Sequence, residues 1–103
     1  MANLYKETIS ILEKYGKTFT DVRYIQNSES QITKDNFIQV AKHTNYRMGG
    51  FVKIPLNLVI VGENWWLERH AFDGSEWWEY KERPIKINKC KEIVTLDDLG
   101  EDW

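Results

Sequence analysis

Cysteine is almost missing from this chain. Cys90 stands alone, so no internal disulfide staples the fold, which suits a reducing compartment. Proline occurs only at positions 55 and 84. No linker, repeat or low-complexity stretch divides the sequence, and 103 residues read as one domain. Long hydrophobic runs are missing as well. The longest apolar-rich stretch, Ile54 to Val61, is far too short to cross a bilayer. The N-terminal MANLYKETIS lacks the apolar region of a signal peptide and reads as a polar helix. A soluble protein of the cytoplasm, with no membrane partner, is expected. Nor is there a surplus of one charge: the net value is −2, so charge alone makes no case for nucleic acid.

What the chain does have is aromatic rings. Five Trp, five Tyr and four Phe can supply most of a small core, because each buries a large apolar area. A first helix is expected over residues 3–15, with Asn3 as N-cap, Tyr5, Ile9 and Leu12 on one face, and Gly16 as the stop. FTDVRYIQ, residues 19–26, has the composition of a strand. A polar turn from Asn27 to Gln31 follows. Thr33 opens a second helix, with Phe37, Val40, Ala41 and Thr44 at helical spacing. Gly49-Gly50 suits a sharp bend. Leu56 to Val61 reads as a buried strand, Gly62-Glu63-Asn64 as a turn, IKIN after Pro84 as a further strand, and VTLDDLGEDW as one helical turn in an acidic end. The expected fold is α+β: a single small domain over residues 1–103, with a largely antiparallel sheet, a central Trp-rich hairpin and two helices packed on one face. Residues 92–103 are expected as a loosely ordered acidic tail.

The strongest local signal is WWLERHAFDGSEWWEYK, residues 65–81. Asp73-Gly74 between aromatic-rich runs predicts a hairpin, because Gly accepts a positive φ and Asp tolerates one. Alternation along a strand then sorts the side chains. With a two-residue loop, Trp65, Leu67, Ala71, Trp78 and Tyr80 form the core face, which also carries Arg69. Trp66, Glu68, His70, Phe72, Trp77, Glu79 and Lys81 form the other. A three-residue loop exchanges the partner sets. The second face reads either as a solvated charge ladder with partly covered rings or as a binding surface, since exposed aromatic patches favour partners.

No complete catalytic constellation is present. Glu79-Tyr80-Lys81 places a carboxylate and an ammonium on one strand face, as metal-dependent nucleases do, with Glu68 or Asp73 as a further acid. Asp73 is more simply the turn residue. His70 beside Glu79 is a candidate acid–base pair. His43, His70 and Cys90 are too scattered for a zinc site. Ser75, His70 and Asp73 sit at a hairpin tip, without a buried acid to orient the histidine. There is no P-loop, dinucleotide fingerprint or nucleophile elbow. No catalytic residue, metal or cofactor is therefore assigned. Lys81, Arg83, Lys86 and Lys89 lie in a basic stretch beside Trp residues, a pattern able to bind single-stranded nucleic acid. They also suit a solvated edge, or one neutralised by the acidic end.

FIQVAKHTNYRMGG followed by LVIVGENWWLERHAFDGSEWWEYKERP resembles a family of small uncharacterised proteins from phages and prophages of Gram-positive bacteria. The resemblance runs from about Val22 to Pro84, and the WWLER…DGSEWWE block is its most specific part. It transfers no activity. It implies an accessory protein in the host cytoplasm that binds a host or phage protein, such as a defence complex. A non-enzymatic binding module, a nucleic-acid binder, a nuclease and a self-associating protein with the hairpin face as dimer contact are the readings carried forward.

Overall fold

The computed structural model describes residues 1–47, 49 and 51–100. In chain order the elements are β1 (Ala2–Asn3), α1 (Leu4–Lys14), β2 (Tyr24–Gln26), β3 (Gln31–Ile32), α2 (Lys34–Lys42), β4 (Asn45–Tyr46), β5 (Val59–Val61), β6 (Trp65–Phe72) and β7 (Ser75–Glu82), with short 3-10 turns at Phe19–Asp21 and Leu96–Leu99. The fold is a small α+β domain. Its main sheet is five-stranded and antiparallel, in the order β3-β2-β5-β6-β7, and β1 pairs with β4 in a second, two-stranded sheet.

Both helices start where the sequence caps them. The Asn3 side chain accepts from the Lys6 N–H, and Thr33 Oγ1 accepts from the Asn36 N–H, each filling an otherwise unpaired first-turn donor. Gly16 ends α1 with φ +70°, a conformation that costs glycine little. The buried stripe of α1 is Leu4, Thr8 and Leu12, with Tyr5 and Ile9 half-buried at its margin. Thr8 tolerates this position because its hydroxyl donates to the Leu4 carbonyl and accepts from Trp78 Nε1. In α2, Phe37 and Ala41 point inward, whereas Val40 is 56% exposed.

The core lies between the helices and one sheet face. One residue per strand forms a row across the sheet, Ile32–Ile25–Ile60–Leu67–Tyr80. Leu4, Leu12, Phe37 and Ala41 of the helices pack with this face, together with Val22, Ile54, Trp65 and Trp78. Gly62 is needed beside Trp65: a Cβ there would lie 2.1 Å from the indole ring.

Three expected strands are altered. Of residues 19–26 only Tyr24–Gln26 is a strand. Thr18 and Asp21 cap a 3-10 turn through side-chain bonds to nearby backbone N–H groups, and such local bonds compete with the ladder. The strand expected from Leu56 begins at Val59, because the Leu58 N–H turns back to the Pro55 carbonyl. The IKIN strand does not form. Pro84 brings no N–H to continue the ladder, and Ile85 and Ile87 are exposed in an irregular segment. The polar turn after Asn27 and the helical turn near the acidic end both occur. Gly49 takes φ +90°. Gly50, and Glu101 and Asp102 of the acidic end, lie outside the described residues.

Candidate functional site

The hairpin has a two-residue loop. Asp73 and Gly74 adopt φ +50° and +82°, the left-handed pair of a type I′ turn. The register runs from Phe72 opposite Ser75 to Trp65 opposite Glu82. The two faces therefore divide as the alternation requires: Trp65, Leu67, Arg69, Ala71, Glu76, Trp78 and Tyr80 inward, with Trp66, Glu68, His70, Phe72, Trp77, Glu79 and Lys81 outward.

The outward face is an ordered ladder. Glu68 sits directly opposite Glu79, a repulsive pairing unless compensated. His70 lies between them, its Nε2 2.9 Å from Glu68 and its Nδ1 3.3 Å from Glu79. Lys81 Nζ reaches Glu79 at 3.3 Å. Indole donors complete the set, with Trp66 Nε1 donating to Glu68 at 2.9 Å and Trp77 Nε1 to Glu79 at 3.2 Å. The same aromatic-x-Glu step recurs where Tyr80 donates to Glu82. The period-2 geometry of a strand makes each such pair neighbours on one face. The hydrogen bond with His70 and the Trp66 N–H hold the Glu68 carboxyl below the ordinary glutamate range. The Trp77 N–H, followed by Lys81 and His70, does the same for Glu79.

The rings of this face are positioned but not enclosed. Trp66 and Trp77 are half-buried, the Trp77 ring stacks near His70 at 6.3 Å, and Phe72 at the tip is 74% exposed. Neighbouring strands extend the surface, since Trp66 lies opposite Val61 and Val61 opposite Tyr24. Both helices pack on the other side of the sheet.

The other predicted chemistry is placed differently. Glu79, Lys81 and Glu68 are gathered, but His70 and Lys81 already occupy the carboxylates. Among the described residues no three His, Cys, Asp or Glu come together as metal ligands. Asp73 is the turn residue. His43 ends α2, and Cys90 is exposed beyond β7. Of the basic set, Lys81 belongs to the ladder. Arg83 continues the strand through its N–H to the Asn64 carbonyl, and Lys86 and Lys89 lie in the irregular segment. Lys91 donates to the Asp98 carbonyl.

The inward face holds a site that the sequence reading missed. The Arg69 side chain is 0% exposed and its guanidinium donates to Glu7 at 2.9 Å, Tyr46 at 2.9 Å and Glu76 at 3.0 Å. The Tyr46 hydroxyl donates to the other Glu7 oxygen. Glu76 in turn accepts the N–H groups of Lys53 and Ile54 at 2.7 and 3.1 Å. The Tyr46 and Trp78 rings flank the guanidinium at 5.5 and 5.0 Å, a cation–π arrangement. Arg69 Nε has no hydrogen-bond partner among the described residues.

Burial opposes charge at this site and the partners overcome it. For Arg69 burial favours the neutral form, but Glu7, Tyr46 and Glu76 hold its pKa above the ordinary value. Burial likewise pushes Glu76 up, and the Lys53 N–H, Arg69 and the Ile54 N–H bring it below the ordinary range. Tyr46 is pushed up to about 12 by burial and by its bond to Glu7. Alternation had already put Arg69 on the core side. The two-residue loop puts Glu76 opposite Ala71 and diagonal to Arg69, so half of the network was accessible from register arithmetic. Comparison with protein-family models, curated proteins and solved structures found no match to this chain.

Proposed function

We propose that this chain is a non-enzymatic protein-binding module whose contact surface is the outward hairpin face: Trp66, Glu68, His70, Phe72, Trp77, Glu79 and Lys81. The carrying observation is that this face presents ordered, half-exposed indole rings beside an exposed Phe72, on the side of the sheet away from the helices. Aromatic rings held by neighbouring carboxylates lose little rotamer freedom on docking, which favours them as anchors. The mixed charge of the ladder gives such a contact orientation. The resemblance in the WWLER…DGSEWWE block supports reading the chain as a phage or prophage accessory protein that binds a host or phage protein, such as a defence complex, in the host cytoplasm.

The test is capture from host lysate with the intact chain and with Trp66→Ala/Trp77→Ala, each checked for an unchanged circular dichroism spectrum. The reading expects a specific partner that the folded double variant no longer retains. Retention of every captured protein by that variant would remove this face from consideration.

A further inference from the structure

The outward face is not the only unsatisfied surface of the hairpin. β7 is the last strand of its sheet. In a two-residue hairpin the residues flanking the turn, Phe72 and Ser75, are a hydrogen-bonded pair, and bonded and non-bonded pairs alternate from there. The observed register then makes His70/Trp77, Glu68/Glu79 and Trp66/Lys81 the bonded pairs. It leaves the backbone N–H and C=O groups of Glu76, Trp78, Tyr80 and Glu82 directed away from β6. Among the described residues none of these groups has a hydrogen-bond partner. β7 has eight regularly paired residues, without proline or bulge. Tyr80 is half-buried and Glu82 exposed, whereas Glu76 and Trp78 are 2% and 3% exposed, so the open part of this edge runs from Tyr80 to Glu82, and an open edge is a template for another strand. At the opposite edge, β3 has two residues.

We propose that β7 pairs antiparallel with β7 of a second copy of this chain, joining the two five-stranded sheets into one continuous sheet. This goes beyond the binding reading, because it uses the strand edge and needs no other protein. Charge selects the register. A two-fold axis at Tyr80 sets Tyr80 opposite Tyr80 of the second copy, Glu79 opposite its Lys81, and Trp77 opposite its Arg83. Symmetry repeats both unlike pairs, so each interface has two Glu–Lys contacts and two Trp–Arg contacts. Moving the axis to Glu79 puts Glu79 against Glu79, and moving it to Lys81 puts Lys81 against Lys81 between two Glu79–Arg83 pairs, so only the Tyr80 axis gives unlike pairs with no like-charge contact. Moving it to Glu82 puts Lys81 against Arg83, and moving it to Trp78 places no acid opposite a base within β7.

The backbone agrees with the Tyr80 axis. Tyr80 with Tyr80, and Trp78 with Glu82 in both directions, are all residues whose polar backbone groups point outward, giving about six new hydrogen bonds at two per bonded pair once the cover over Trp78, 3% exposed, is displaced. Residues of α1 and β7 also leave a shallow groove of about 300 Å³ at this side, lined by Glu7, Ser10, Ile11, Lys14, Trp77 and Trp78. Glu82 of the second copy, opposite Trp78, enters it beside Lys14.

Sedimentation equilibrium of the full chain across a wide concentration range tests the proposal. The wild type is expected as a reversible dimer. Glu79→Lys and Lys81→Glu each turn both Glu–Lys contacts into like-charge contacts, and each is expected to raise the dimer dissociation constant about tenfold. The combined Glu79→Lys/Lys81→Glu chain exchanges the charges and is expected to recover the dimer. Amide hydrogen exchange gives a second readout, in which the Trp78 and Tyr80 N–H groups slow as protein concentration rises. A monomer up to millimolar concentration overturns the proposal. So does a dimer indifferent to both single reversals, a combined variant that stays monomeric, or amides of Trp78 and Tyr80 whose exchange does not depend on concentration.

Discussion

The two faces of the hairpin use the same chemical vocabulary with different results. Each carries indole rings, glutamates and a cation on the same two strands. Inward, Arg69 and Glu76 are enclosed by α1, β4 and the 53–54 segment, and the partners are fixed by hydrogen bonds. Outward, Glu68, His70, Glu79 and Lys81 keep about a third or more of their side-chain surface in water. In water an ion pair gains little, because solvent already satisfies both charges. In the interior, removing one partner strands the other without solvent. The inward network therefore governs whether the sheet, α1 and the 53–54 segment hold together. The outward ladder governs only how its rings are presented.

The largest expected effect breaks the inward side alone. Arg69→Ala should destabilise the fold by about 3–5 kcal/mol, since it leaves Glu76 buried without its cation. Urea unfolding followed by Trp fluorescence measures this. His70→Ala on the opposite face should cost no more than about 1 kcal/mol. Equal losses for the two variants would erase the distinction between the faces.

Next in size are two changes to the packing of the inward indoles. Thr8→Val removes the acceptor of the buried Trp78 N–H and should cost about 1–3 kcal/mol. Gly62→Ala forces a methyl into the Trp65 ring and should cost about 1–3 kcal/mol through displaced packing. Both are read as lowered denaturation midpoints with an unchanged slope.

The pH dependence sharpens the comparison further. Glu76 has a lowered folded pKa, so its contribution is complete above the unfolded value of about 4.3 and is lost as pH falls through the lower folded value. Tyr46 has the opposite sign. Its pKa is raised to about 12, so its contribution is complete below the unfolded value of about 10 and is lost as pH rises toward the folded one. Glu76→Gln should flatten the acid limb of a stability–pH curve, and Tyr46→Phe the alkaline limb. Part of the alkaline limb should survive that substitution, because Tyr80 is also pushed up to about 12 by burial and by Glu82.

The smallest stability effect is expected outside. Glu68→Gln weakens the grip on the Trp66 N–H and His70 but keeps the shape of the ladder, so the unfolding free energy should change by less than about 1 kcal/mol. A change larger than Thr8→Val would mean that the outward ladder is structural after all.

Much of the local structure was legible because it depends on near neighbours. Asn3 and Thr33 cap their helices three residues away, and Asp73-Gly74 makes a turn that few other pairs allow. Once the loop length is two, alternation sorts every side chain from Trp65 to Glu82. Where reading failed, local patterns met a contest they do not describe. FTDVRYIQ has strand composition, but Thr18 and Asp21 satisfy backbone groups within the turn. IKIN alternates well, yet a strand needs a partner, and Pro84 separates it from the ladder. The aromatic-x-Glu bonds of the outward face were also written in the sequence, at Trp66/Glu68, Trp77/Glu79 and Tyr80/Glu82, as a recurring spacing whose meaning depends on both residues lying in a strand.

The sequence alone determined the hairpin, its turn chemistry and the helix starts, because these follow from φ preferences, capping and a period of two, whereas the division of the Trp77 and Trp78 rings between the faces was decided by the two-residue loop of the folded chain. Alternation put Arg69 on the core face, and only the tertiary structure decided how a charged arginine is satisfied there. The partners of Arg69 stand 62, 23 and 7 residues away, on α1, β4 and β7. An arginine can be buried only where acceptors from such separate elements converge to replace its water, and that convergence is a property of the assembled fold.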